Sequence, residues 1–196
     1  MPRPRLHATQ DLLDAAAGLA AAHGPGGVTM AAVADAAGAP SGSLYHRFGS
    51  RAGLLAEVWL RTVTAFQAGY LEALEREPVL EACVDAARHV VAWSREHEPE
   101  VRILLRGPAE FDVASAPDGV RARIEAAQRG LEAAWRRTAA RLPGSEQDAQ
   151  EIVVLTTVEL PYAIARRHLR KGAVPERADV LLERSVRAIV ADWLER

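Results

Sequence analysis

Cysteine is almost missing from this chain: Cys83 is the one thiol among 196 residues, so no intrachain disulfide can form. A lone thiol in an apolar helical stretch reads as a small buried hydrophobe, with a redox-sensing thiol as the other reading. Aromatic residues make up only 5% of the chain. β-branched residues seldom alternate with polar ones, which leaves little strand pattern to assign. No window reaches the roughly 18 uninterrupted apolar residues of a membrane span. The first ten residues, MPRPRLHATQ, carry charge with no apolar run behind it, which argues against a secretory signal. Basic charge is not in excess either, with a net charge of −2 and a pI near 6.3. These shortages exclude a disulfide-stapled scaffold, a membrane-spanning chain and a uniformly basic nucleic-acid coat. A soluble, cytoplasmic protein is the expectation.

Motifs of common enzyme chemistry are missing too. There is no P-loop, G-x-G-x-x-G, C-x-x-C or H-E-x-x-H. The string GAPSG at 38–42 is not the G-x-S-x-G elbow, and no strand precedes it. Glu110 and Asp112 fall in a proline-flanked stretch, where solvated carboxylates are a simpler reading than a catalytic pair. His89 and His97 are eight apart, which suits no common metal motif. No catalytic residue, cofactor or metal is expected.

What is present is helix. Hydrophobic residues make up 49% and charged ones 26%, enough apolar surface for a packed core. Thr9 can cap a helix running to about His23, which Gly24-Pro25-Gly26-Gly27 stops. Ser50 caps a helix of about 25 residues with Leu54, Leu55, Val58, Trp59, Phe66, Tyr70 and Leu74 on its apolar side. Further helices fit Val79–Glu96, 99–106, 118–142 and 146–171, the last interrupted by Pro161, and Pro175 opens a final one. Residues 107–117 read as a loop. The sum is an all-α chain of about nine helices, divided into a head at residues 1–53 and a helical domain at 54–196.

Between the first and the long helix lies the most informative stretch, VTMAAVADAAGAPSGSLYHRFGSR at 28–51. Thr29 is a good N-cap. Met30, Val33, Ala34 and Ala37 set a short apolar rhythm, Gly38 breaks it, and Leu44 and Phe48 give a second short helix one apolar face. Two short helices about a glycine turn are the mark of a helix-turn-helix. A recognition helix presents its N-terminal side chains to the major groove. Here these are Ser41, Gly42 and Ser43, followed by Tyr45 and His46. Serine reads base edges weakly, Gly42 permits close backbone approach, and Tyr45 suits a phosphate. Thr29 begins a helix whose amide end favours phosphate oxygen. Arg51, in the first turn of the long helix, suits another. Local charge adds little, since residues 1–53 carry four Lys/Arg against three Asp/Glu.

The spacing Thr29, Val33-Ala34, Ala37-Gly38, Gly42, Leu44-Tyr45, Phe48, Ser50-Arg51, Leu54 resembles the TetR family of bacterial transcriptional regulators over residues 9 to about 59. The family usually has lysine at Arg51, and Ser or Thr at Pro40. Gly53 is expected to weaken the long helix by ~1 kcal/mol relative to alanine. The resemblance implies a three-helix DNA-binding head and a C-terminal regulatory and dimerisation domain. It implies a dimer on palindromic double-stranded operator DNA, acting as a repressor released by a small-molecule effector. For the dimer face the candidates are Ile152, Val153, Leu155 and Val158 on one helix and Val186, Ile189, Val190 and Trp193 on another. For an effector pocket they are Trp93, His97, Arg106, Trp135, Glu159 and Tyr162. Two other readings fit the residues: a helix-turn-helix regulator without an effector, including an activator, and an all-α enzyme.

Overall fold

The computed structural model describes residues 5–169 and 174–195. Among these are ten α-helices and no strand. They are α1 (Arg5–His23), α2 (Met30–Ala37), α3 (Ser41–Phe48), α4 (Arg51–Leu74), α5 (Val79–Glu96), α6 (Glu98–Leu104), α7 (Asp118–Ala139), α8 (Glu146–Val154), α9 (Leu160–Leu169) and α10 (Arg177–Leu194). Two compact units emerge: residues up to 64 together with 99–126, and residues 65–98 together with those from 127 on.

In the first unit α1 starts earlier than Thr9. Thr9 therefore lies inside the helix, and its hydroxyl accepts from Nη1 of Arg47 on α3 at 2.5 Å. Leu12, Ala16 and Ala20 of α1 meet Val33 and Ala34 of α2, Leu44 and Phe48 of α3, and Leu54, Leu55 and Val58 of α4 in one core. Ile103 and Phe111, from much later in the sequence, are buried in the same core. The stretch 107–117 is thus an anchored structural piece. It forms two 3-10 turns, Pro108–Phe111 and Val113–Ser115, with Phe111 beside Trp59 at 5.5 Å between ring centres.

The second unit has its own core, which gathers Cys83, Val84, Ala87 and Val91 of α5, Ala149 and Val153 of α8, and Leu182, Val186 and Val190 of α10. Small side chains such as Ala87 and Ala149 let these helices approach closely. Two ion pairs brace α5 against α10. Arg187 holds both Glu81 oxygens at 2.6 and 2.9 Å, and Arg95 holds both Asp179 oxygens at 3.0 Å.

The stretch 146–171 is not a simple kinked helix. Between α8 and α9 the chain makes a π-helical turn, Leu155–Glu159. Pro161 supplies the reason, because its ring has no N–H and would crowd the carbonyl four residues back. A wider turn relieves that conflict. The Thr156 and Thr157 hydroxyls donate to the carbonyls of Ile152 and Val153, both at 2.7 Å. The end of this stretch, with Arg170, Lys171 and Gly172, lies outside the described residues.

Candidate nucleic-acid interface

Helix α2 begins where its threonine cap places it. The Thr29 side chain accepts from the Ala32 amide at 3.1 Å, the bond of an N-cap. Gly38 ends α2 at φ 60, ψ 33, a left-handed conformation that glycine adopts without steric penalty. The chain then turns into α3. Pro40 stands at the N-cap of α3 and makes no side-chain capping bond. Its fixed φ sets the direction of the helix, and the Ser43 amide donates to its carbonyl at 2.9 Å. At the next join the Ser50 hydroxyl accepts from the Gly53 amide at 3.1 Å, which caps α4.

Helix α3 has two sharply different faces. Leu44 and Phe48 are buried, whereas Ser41, Gly42, Tyr45 and His46 are exposed and Ser43 is half-buried. Exposed positions 41, 42, 45 and 46 fall on one side by helical periodicity. Tyr45 is 54% exposed, unusual for a ring in so small a head. A Cβ on Gly42 would meet nothing in the protein. No packing inside the chain demands glycine there.

Arg51 is more constrained than its place in a first helical turn suggests. Its Nε donates to the Val28 carbonyl at 2.7 Å and its Nη2 to the Pro25 carbonyl at 2.6 Å. Its Nη1 donates to Asp112 at 2.8 Å. The guanidinium is thereby pinned beside the start of α2 while remaining partly exposed. Asp112 was not expected here, because nothing local in a proline-flanked turn points to an arginine 61 residues earlier.

The candidate effector residues separate. Trp93, His97 and Trp135 belong to one aromatic cluster in the second unit. Trp93 and His97 lie 4.8 Å apart between ring centres, Phe66 meets Trp93 edge-on at 5.3 Å, and Phe66 stacks on Tyr70 at 5.5 Å. Trp135 Nε1 donates to the Tyr70 hydroxyl at 3.0 Å, and that hydroxyl also bonds Thr157 at 2.7 Å. His89 joins the cluster through Phe66, with Nε2 2.9 Å from the Phe66 carbonyl oxygen. Burial pushes the Tyr70 hydroxyl up to about 12 and lowers His89. Phe66, Tyr70 and His89 pack in this cluster without being among the expected effector residues, although the four-residue spacing of His89, Trp93 and His97 marks one helical stripe. Arg106 belongs to the first unit, where it pairs with Glu110 at 3.1 Å and packs over Gly24. Tyr162 is exposed, and Glu159 opens onto a groove of about 690 Å³ with Glu146, Gln150, Glu151, Val154 and Leu155.

The candidate dimer residues also separate. Val153, Val186 and Val190 are fully buried inside their own unit, while Ile152, Leu155, Val158, Ile189 and Trp193 are half-buried. The Trp193 indole donates to the Pro143 carbonyl at 2.8 Å. Val180 and Leu181 of α10, absent from the expected set, are 55% and 63% exposed. Among the described residues, no helix is long and apolar enough to cross a membrane, and no group of His, Cys, Asp and Glu could hold a metal ion.

A capped helix, a left-handed glycine turn and a second helix with an exposed polar face define a helix-turn-helix DNA-binding head. The chain matches the family described as bacterial regulatory proteins, tetR family, over residues 12–58. No curated protein matches it. Solved structures do. A TetR-like transcriptional regulator from Rhodococcus sp. RHA1 is 21% identical with a TM-score of 0.70, covering 94% of this chain and 96% of that one. The TetR family regulator PfmR from Thermus thermophilus is 24% identical with a TM-score of 0.64, covering 92% and 97%. The ketosteroid transcriptional regulator KstR2 of Mycobacterium tuberculosis is 20% identical with a TM-score of 0.68, covering 99% and 98%. At these identities the likeness establishes the fold.

Proposed function

We propose that the chain is a dimeric transcriptional repressor that binds a palindromic operator through α3 and is released by a small-molecule effector. The exposed face of α3, Ser41, Gly42, Tyr45 and His46, carries the reading. It is polar, it is not called for by packing within the head, and it is built on a three-helix core. One short helix makes few base contacts, so a second head about 34–36 Å away along the duplex supplies the rest. The exposed Val180 and Leu181 of α10 and the groove along α8 support pairing of two copies through the last helices. The aromatic cluster of Phe66, Tyr70, Trp93 and Trp135 is the proposed seat of the effector, in keeping with the apolar, ring-lined character of ligand sites. Release follows from an effector's preference for one of two dimer states, and cannot exceed that preference. A domain division near residue 53, with reading before it and regulation after it, belongs to the same proposal.

The test is a gel shift on the DNA upstream of the chain's own gene. Tyr45→Ala and His46→Ala are expected to weaken specific binding about tenfold, the cost of one lost DNA contact, with unchanged melting temperature. Leu181→Glu is expected to yield monomers in sedimentation and to weaken operator binding. A protein that fails to bind this DNA and random duplex alike at low salt sinks the reading.

A further inference from the structure

Asp112 is the one non-glycine residue with positive φ among the described residues, at φ 51. It stands between the two 3-10 turns, in a left-handed conformation that aspartate tolerates better than most residues. Phe111, fully buried beside Trp59, fixes the turn on one side. On the other side the Ser115 amide donates to the Asp112 carbonyl at 2.9 Å. The carboxylate is therefore placed by the backbone, and it meets the Arg51 guanidinium at 2.8 Å. Both side chains remain partly exposed, at 37% for Arg51 and 44% for Asp112. The remaining Arg51 bonds go to the carbonyls of Pro25 and Val28, just before the Thr29 cap.

We propose that Asp112 is an affinity-limiting residue of the DNA interface: its carboxylate competes with a backbone phosphate for the Arg51 guanidinium. The inference rests on the reading of the head as a duplex binder. Two neutral carbonyls already hold Arg51, so Asp112 is not needed to keep it in place. What Asp112 adds is a fixed negative charge against the cation. A phosphate approaching Arg51 must share that cation with Asp112 and is repelled by it. Because each neutralised phosphate steepens the salt dependence of binding, the effect has its own signature.

The experiment measures fluorescence anisotropy of a labelled mixed-sequence duplex across a salt series. Asp112→Asn retains an acceptor for Arg51 and loses the charge, while Asp112→Gly removes the side chain and suits the left-handed backbone. Both are expected to bind about fivefold more tightly at low salt, the scale of one partly exposed charge interaction. The slope of log K on log salt is expected to steepen by about 0.9 for each phosphate gained. In an Arg51→Gln background the gain disappears. Unchanged affinity and slope in both variants overturn the proposal while leaving the DNA-binding reading intact. A gain that persists without Arg51 also overturns it. Absence of duplex binding by the wild-type chain overturns both.

Discussion

The carbonyl oxygen of Phe48 occupies the space that a side chain on Gly53 would need. A Cβ there would lie well inside van der Waals contact of that oxygen, with Pro117 pressing at 3.3 Å. Gly53 is therefore required by the join between α3 and α4 and is not a mere weakness in the long helix. Gly53→Ala gains ~1 kcal/mol in helix propensity but forces backbone to move, which costs about 1–3 kcal/mol. A net loss of stability is expected in denaturant titration. Gly130→Ala in α7 is the contrast, since a Cβ there meets nothing. It is expected to stabilise by about 0.5–1 kcal/mol.

Thr29→Ala removes the acceptor for the Ala32 amide. A loss of about 1 kcal/mol is expected in urea titration, and Thr29→Ser should restore most of it.

Tyr70→Phe leaves Trp135 Nε1 without its acceptor, while Thr157 keeps its bond to Val153. A donor left unsatisfied in the protein costs about 1–3 kcal/mol. Denaturation followed by tryptophan fluorescence should show a loss in that range.

His89 supplies a pH dependence. Burial lowers its pKa from an ordinary value of 6.5, opposed by the Phe66 carbonyl and by Glu96. The folded state thus holds fewer protons than the unfolded one wherever the two differ. Full stability is present above pH 6.5 and is progressively lost as pH falls toward and through the folded value. Melting temperatures measured from pH 7.5 down to 5 should fall more steeply for the wild type than for His89→Gln.

Cys83 is fully buried, and burial pushes its thiol up to about 11. Its reaction with a thiol reagent at pH 8 should be slow in the native protein and fast in denaturant, in line with a packing role.

The helix-turn-helix was legible because its signals are local. A threonine cap, a glycine stop and an apolar pair four residues apart each act within about one turn of helix. Helix α5 was legible at Val79–Glu96 for the same reason. Long-range facts were not. The π-helical turn required knowing that Pro161 follows two threonines that bond backward into a packed core. Phe111 gave no sign that it belongs to the head's core, because its ring partner Trp59 lies far earlier in the chain. Faces of the last helix were also mixed: Val186 and Val190 turn into the protomer, and Val180 and Leu181 turn outward.

The order of amino acids by itself determined that the chain is helical and that residues 28–51 fold as two short helices about Gly38. Propensity, caps and periodicity act between near neighbours and need no fold. Only the tertiary structure decided which charge Arg51 meets and why Gly53 has no side chain. Those depend on contacts across a core, where the position of each group is set by packing far from it in sequence.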